Sequence, residues 1–388
     1  MLSASGAPWD LAPHLPWSVF QSPAARWEAM PSFVVGEYAF YVCTLLALVH
    51  ALRCGRAHLL VWIAALLAGT ANDMIFMALP LVDNFWQAQG TIMLTPRLPL
   101  YIPCVYICFM YIPTVAVWRL GLPRLGQAAL TGLVAELFYG PYDITGAKFL
   151  WWTWHDTDMP IANRLLGVPI GSSMWVITFV STFALLASLA LRKDPRAERP
   201  STALRLIGFV CLGSTLGMMV QMNLLQPLDG GIPGVNGLIA VIVGYLALAA
   251  FGWRRRDPAR APSSPRADRL LVGAAALHYL TLAAVMACFD PASHRSASMH
   301  QTYGPCHVEA TDVLGFTRYQ YLCAEDYDED FSFDCVDAPP SDGSEWYTVC
   351  GRPHTDFPRW MLTISLLAAL GVGCFSYLLL GRRPPRPE

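Results

Sequence analysis

The 388-residue chain is 55% hydrophobic and 14% charged, where ordinary soluble domains carry roughly 25% charged residues. That deficit, with a mean hydropathy of +0.41, excludes a soluble globular enzyme. A net charge of -2 offers no basic field for nucleic acid.

In chain order, the first element is an aromatic tail, residues 1–32, with Trp9, Trp17 and Trp27. It lacks the apolar core of a cleavable signal peptide and is expected in the outer membrane interface, where tryptophan is at home. About nine apolar windows of bilayer length follow, at 33–52, 57–79, 99–118, 124–140, 170–191, 203–225, 235–253, 269–288 and 359–380. The fourth is short and holds Gln127 and Glu136, so it either tilts or continues through the Gly140-Pro141 break. An eight-helix alternative follows from it. The expected fold is therefore all-α and polytopic: an eight-helix bundle over 33–288, a polar loop over 289–358, a last membrane helix over 359–380 and a basic tail over 381–388.

Basic residues close to a span are retained on the cytoplasmic side. Alternate connections hold 18 of the 26 basic residues, from Arg53 and Arg56 through the Arg254 to Arg269 cluster to Arg386. The remaining eight, Lys148 and Arg164 among them, are spread thinly over the other loops. This predicts an N-outside, C-inside protein of a plasma or inner membrane, with its long loop extracytoplasmic.

That loop carries Cys306, Cys323, Cys335 and Cys350. Gaps of 17, 12 and 15 residues contain no close Cys-x-x-Cys pair for zinc, so two disulfides of open connectivity are expected. The loop has thirteen acidic residues against three arginines. Asp326, Asp328 and Asp330 have the spacing of a calcium loop, but Phe331 stands where the sharp turn needs glycine. A solvated acidic surface is the simpler reading.

Ionisable groups within spans are costly and commonly mark a site. Glu37, Asp73 beside Asn72, Glu136, Gln221 and Asn223 all fall within about 9 Å of an outer helix end, at a rise of about 1.5 Å per residue. Each alone is accounted for by interfacial water or helix packing. Their common level points to one outward-opening polar cavity. His50 and His278 read as packed polar residues, and Gly213-x-x-x-Gly217 as a helix contact.

The densest chemistry lies in the outer loop from Tyr139 to Asp158, which includes Asp143, Lys148 and Trp151-Trp-Thr-Trp154-His155-Asp156-Thr-Asp158. His155, Asp156 and Asp158 offer a base, an orienting carboxylate and metal ligands; an aromatic belt with polar residues facing water is the alternative. No nucleotide-binding motif is present, and a divalent metal is the one candidate cofactor.

The run Trp151 to Asp158, with Val168-Pro169 and the late cysteine loop, resembles an uncharacterised family of multi-pass membrane proteins. A more distant resemblance, over about 40 residues, is to the integral-membrane carotenoid hydratases, carried by Ala135-Glu136, Gly140, Gly146, Trp151 to Trp154, Gly167-Val168-Pro169-Ile170 and Trp175. It implies that Glu136 or Asp73 protonates a carbon-carbon double bond and that His155 or a second carboxylate polarises the attacking water. The candidate catalytic set is thus Glu37, Asp73, Glu136, His155, Asp156 and Asp158. The leading expectation is an intramembrane enzyme acting on a lipid or isoprenoid; the alternatives are a transporter or channel, and a receptor-like protein working through its outer loop.

Overall fold

Helices that are apolar on every side have no face to give to water, so they are buried in protein or in lipid. The computed structural model describes residues 19–79, 85–154, 158–257, 265–299, 302–311, 317–321 and 331–381. After the short α1 (Pro23–Ala29), the long helices are α2 (Pro31–Cys54), α3 (Arg56–Ala78), α4 (Tyr101–Trp118), α5 (Arg124–Lys148) and α7 (Ile170–Ala190). One turn, α6 (Met159–Ala162), precedes α7. A continuous rod, Pro200–Asp229, contains α8 (Pro200–Leu204), a π turn and α9 (Val210–Leu225). Then come α10 (Val235–Trp253), α11 (Pro265–Cys288) and α12 (Phe357–Leu380). Among the described residues, eight of these helices are long and apolar enough to cross a membrane; α5, with its polar residues, is the long helix outside that set.

Burial separates the helices by position. Every residue of α4 is buried, which makes it the centre of the bundle. By contrast, α9 exposes Leu212, Leu216, Val220 and Leu224, and α12 exposes Leu362, Leu366 and Leu370, in four-residue steps. Stripes of that size on the outside suit lipid and not water. The chain is a multi-pass integral membrane protein.

Close helix contacts rest on glycine. A Cβ on Gly217 would lie 2.5 Å from Thr182 Cγ2 and one on Gly213 2.9 Å from Leu186 Cδ1, so the Gly213-x-x-x-Gly217 face packs α9 on α7. α5 runs on through Pro141, as one of the two readings of its apolar window allows, so residues 141–148, otherwise read as outer loop, are its last turns. A proline ring removes the N–H that the carbonyl four residues earlier would accept. That orphan is Leu137 O, and Tyr279 Oη of α11 donates to it at 2.8 Å.

The chain is not wholly helical. Outside the bundle, connecting backbone groups satisfy one another in small antiparallel sheets. β1 (Phe85–Gln87) pairs with β2 (Trp152–Trp154), and β3 (Arg164–Leu165) with β4 (Val168–Pro169). In the late polar segment β5 (Arg295–Met299) pairs with β9 (Trp346–Gly351), which also holds β8 (Phe331–Ser332), and β6 (Glu309–Thr311) pairs with β7 (Thr317–Tyr319). A disulfide joins Cys335 to Cys350. Cys306 is also disulfide-bonded, whereas Cys323, Asp326, Asp328 and Asp330 lie outside the described residues.

Of the aromatic tail, the described part does not stand apart. Phe20 bridges to Ile92, Gln21 N–H donates to Thr91 O at 2.9 Å, and Trp27 meets the Phe289 ring edge-on at 6.2 Å.

Candidate functional site

Asp73 sits one turn beyond Gly69 on the same face of α3. Gly69 has no side chain, so the Tyr106 ring of α4 lies directly on α3, where a Cβ would come within 2.1 Å of the ring. This contact delivers the Tyr106 hydroxyl to Asp73 Oδ1, to which it donates a hydrogen bond. Gln87 Nε2 donates to Asp73 Oδ2 at 3.1 Å. The chain of donors extends back through Asn72 Nδ2, 3.4 Å from Tyr106 Oη, and Thr215 Oγ1 of α9, 3.2 Å from Asn72 Oδ1. Four elements thus converge on one carboxylate.

These groups form the polar end of a cavity of about 650 Å³, within the roughly 300–1,000 Å³ range of small-molecule sites. Its walls are largely apolar, with Phe76, Phe109, Tyr139, Trp175, Met218 and Met222, and carry further polar residues at Ser172, Asn223 and Arg318. The β1–β2 ribbon roofs it. Phe85 is paired with Trp154 and Gln87 with Trp152; in an antiparallel pair, opposed residues share a face, and all four line the cavity. Trp86 and Thr153, on the other face, do not line it. The tryptophan run forms a buried strand.

Two further carboxylates stand close by on α5. Asp143 accepts from the cavity-lining Ser172 hydroxyl at 2.6 Å. Glu136, two turns earlier on the same face, has a buried Oε2 without a hydrogen-bond partner. Tyr139 lies between them in sequence, within electrostatic range of Asp143, Asp73 and Glu136.

Asp158 adjoins the cavity through Arg318. Arg318 Nε of β7 donates to its Oδ1 at 3.0 Å, and a second guanidinium nitrogen donates to Oδ2. Arg318 and Thr317 are themselves lining residues, so this bidentate pair seats the late polar segment on the cavity.

Glu37 serves a different contact. Its carboxylate takes Tyr41 Oη at 2.8 Å and the Thr91 N–H at 2.8 and 3.1 Å, and so pins the loop ahead of α4. His155 and Asp156 lie outside the described residues. Gln221 binds Thr182 Oγ1 at 2.8 Å and accepts from Tyr245, which joins α7, α9 and α10. Asn223 turns back on Met219 O and edges the cavity. Among the described residues no group of three or more His, Cys, Asp or Glu side chains is arranged around a metal position.

Residues 15–379 match a family described as a domain of unknown function, DUF7802. The chain belongs to that family. No curated protein and no solved structure matches it.

This DUF7802 protein has a second buried polar cluster, at the other end of the bundle. His50 Nδ1 is 2.8 Å from Tyr111 Oη and its Nε2 3.2 Å from Asp268 Oδ1; Arg119 donates to the same oxygen. The His58 ring centroid lies 5.7 Å from that of His50, and His58 Nε2 is buried without a hydrogen-bond partner. His278 is packed, stacked on Phe138 at 3.9 Å with Nε2 2.8 Å from Phe138 O.

Reading the sequence leaves Asp143 within an outer loop and misses Gln87, Ser172, Arg119 and Asp268. Arg119 caps the end of α4, Asp268 lies in the first turn of α11, and Gln87 belongs to a loop between spans. Phe85-Trp-Gln87 is too short and shows no apolar/polar alternation, so nothing in the sequence marks it as a strand with one face turned inward.

Proposed function

We propose that this DUF7802 protein holds a lipid or isoprenoid in the Asp73 cavity and acts on it there. The observation that carries this reading is the cavity itself: an apolar chamber among membrane helices with one end built from Asp73, Gln87, Asn72 and Tyr106. Such a chamber suits a molecule with a long apolar body and a small polar end. In an acid/base reaction of the hydratase kind, Asp73 accepts hydrogen bonds at both oxygens, the setting of a group that takes a proton from water. The acid that protonates the double bond is then Glu136 of the adjacent α5, with His155, Asp156 and Asp158 the further candidates that the sequence offers. The water's hydroxyl goes to one carbon and the acid's proton to the other.

The test is lipid mass spectrometry of the purified protein beside Met218→Trp, which fills the chamber. A specific lipid retained by the parent and lost in the variant is expected. No lipid in the parent, or the same lipids in both proteins, would count against the cavity reading.

The orientation we assign is N-outside and C-inside, in a plasma or inner membrane, from the asymmetry of arginine and lysine. Reporter fusions near Ala261 should read cytoplasmic and near Gly304 external, and the opposite at either point would reverse it.

Transport is the second reading, favoured by the His50, Arg119 and Asp268 cluster, which puts charge at the end remote from Asp73. Flux through proteoliposomes that Asp268→Asn abolishes would replace the enzyme by a transporter.

A further inference from the structure

The α7 wall of the cavity carries a hydroxyl and a carboxylate that the double-bond chemistry does not use. Ser172 lines the cavity and is partly exposed, and its Oγ donates to Asp143 Oδ2 at 2.6 Å. Asp143 itself is 1% exposed. Trp152 and Tyr139 also direct polar hydrogens at it, with Arg164 within electrostatic range. Such donors suit an ionised carboxylate, which only accepts. A serine hydroxyl held on a carboxylate that other groups orient is the arrangement of an activated nucleophile.

Ser172 also stands in the first turn of α7, a helix of 21 residues that begins at Ile170. The leading N–H groups of a helix have no acceptor within it. That of Ile170 is spent on Asn163 O at 2.8 Å, and the next two belong to Gly171 and Ser172, which both line the cavity. Negative charge developing beside Ser172 therefore meets the positive end of the helix dipole.

We propose that Ser172 is a catalytic nucleophile with Asp143 as its general base, and that the cavity cleaves the carboxylic ester of a long-chain lipid by acyl transfer. Ser172 Oγ attacks the ester carbonyl carbon while its proton passes to Asp143. The C=O π electrons move onto the carbonyl oxygen, beside the first turn of α7. Their return breaks the bond to the alkoxy oxygen, which takes the proton from Asp143 and leaves as an alcohol. Water then adds to the acyl-serine and gives one proton to Asp143; the fatty acid departs and Ser172 recovers that proton. The proposal rests on the lipid-cavity reading above but not on its double-bond chemistry.

The experiment is labelling of the full chain in nanodiscs with hexadecyl fluorophosphonate, whose phosphorus stands in for the ester carbonyl carbon and loses fluoride to a serine oxygen. Peptide mass spectrometry should find the adduct on Ser172, absent from Ser172→Ala and retained in Ser173→Ala. Asp143→Asn keeps an amide oxygen to accept from Ser172 and should label roughly a hundredfold more slowly, the lower end of what a general base contributes. No adduct on Ser172 in the parent, or equal rates in the parent and in folded Asp143→Asn, would overturn the proposal. Lipid mass spectrometry of the same samples separates that failure from failure of the cavity. A specific lipid retained by the parent and lost in Met218→Trp, without any adduct on Ser172, would remove acyl transfer and leave the cavity. Labelling that Met218→Trp fails to slow would show that the probe does not reach Ser172 through the cavity, which also overturns the proposal. Neither lipid nor adduct in the parent would remove both readings.

Discussion

Ser32, Trp151 and His294 meet at one point although 262 residues separate the first from the last. Trp151 Nε1 donates to Ser32 Oγ at 3.0 Å, and Ser32 Oγ lies 2.6 Å from His294 Nε2. His294 Nδ1 is 3.0 Å from the Asp290 carbonyl, an oxygen that only accepts. The proton therefore sits on Nδ1, and Nε2 accepts from Ser32. Burial pushes the imidazole down to about 4 from an ordinary 6.5, and the Asp290 carbonyl and carboxylate offset this only in part. An unfolded chain takes up a proton near pH 6.5 that the folded joint refuses. The stability from neutral His294 is thus complete above that value and declines as pH falls from about 6.5 towards 4. Unfolding midpoints across that range should decline more steeply for the parent than for His294→Gln; parallel profiles would mean that another group governs the acid limb. Trp151→Phe, which leaves Ser32 one donor short, should cost about 1 kcal/mol by denaturant titration.

At the scale of elements, α5 shows how a proline can be accommodated inside a long helix. Tyr279 Oη substitutes for the N–H that Pro141 lacks. Tyr279→Phe should therefore destabilise by about 1–3 kcal/mol. In a Pro141→Ala background, where the helix supplies its own donor, the same change should cost measurably less, and an additive double-mutant cycle would deny the link. Glycines give the companion test. A Cβ on Gly36 would lie 2.3 Å from the Trp151 ring and one on Gly146 2.0 Å from the Trp152 ring, whereas Gly244 has nothing within 4 Å. Gly36→Ala and Gly146→Ala should each lower stability by about 1–3 kcal/mol through overpacking. Gly244→Ala should be neutral or stabilising by up to about 1 kcal/mol through helix propensity. Thermal melts in detergent decide both.

Across the whole molecule, the late polar segment is held to the membrane bundle at two separated places. One is the His294 joint; the other is the Asp158 and Arg318 pair, whose side chains are 2% and 12% exposed. Removing one partner of a buried ion pair strands the other, at about 3–5 kcal/mol. Arg318→Gln should raise amide exchange in Glu309–Tyr319 and at the cavity rim while α4 exchanges as before. Unchanged exchange in β6 and β7 would show that the pair does not seat the segment. Reducing the Cys335 to Cys350 disulfide should loosen β8 and β9 without affecting that rim.

The apolar runs, the break in basic residues across alternate loops and the even cysteine count in a polar loop are local or additive properties, so the sequence alone determined a polytopic helical membrane protein with a disulfide. Bilayer thickness sets the length of a span whatever its neighbours do. Position along each helix can be counted from the sequence, which is why Asp73 and Glu136 stood out. Rotation about the helix axis cannot be read from it, because helices apolar on all sides carry no stripe that says which face meets which partner. That rotation alone turns Asp73 into a cavity and Glu37 onto the backbone of Thr91. Only the tertiary structure pairs Phe85–Gln87 with Trp152–Trp154 and brings Arg318 to Asp158, since contacts between residues 65 to 160 positions apart depend on the packing of every helix between them.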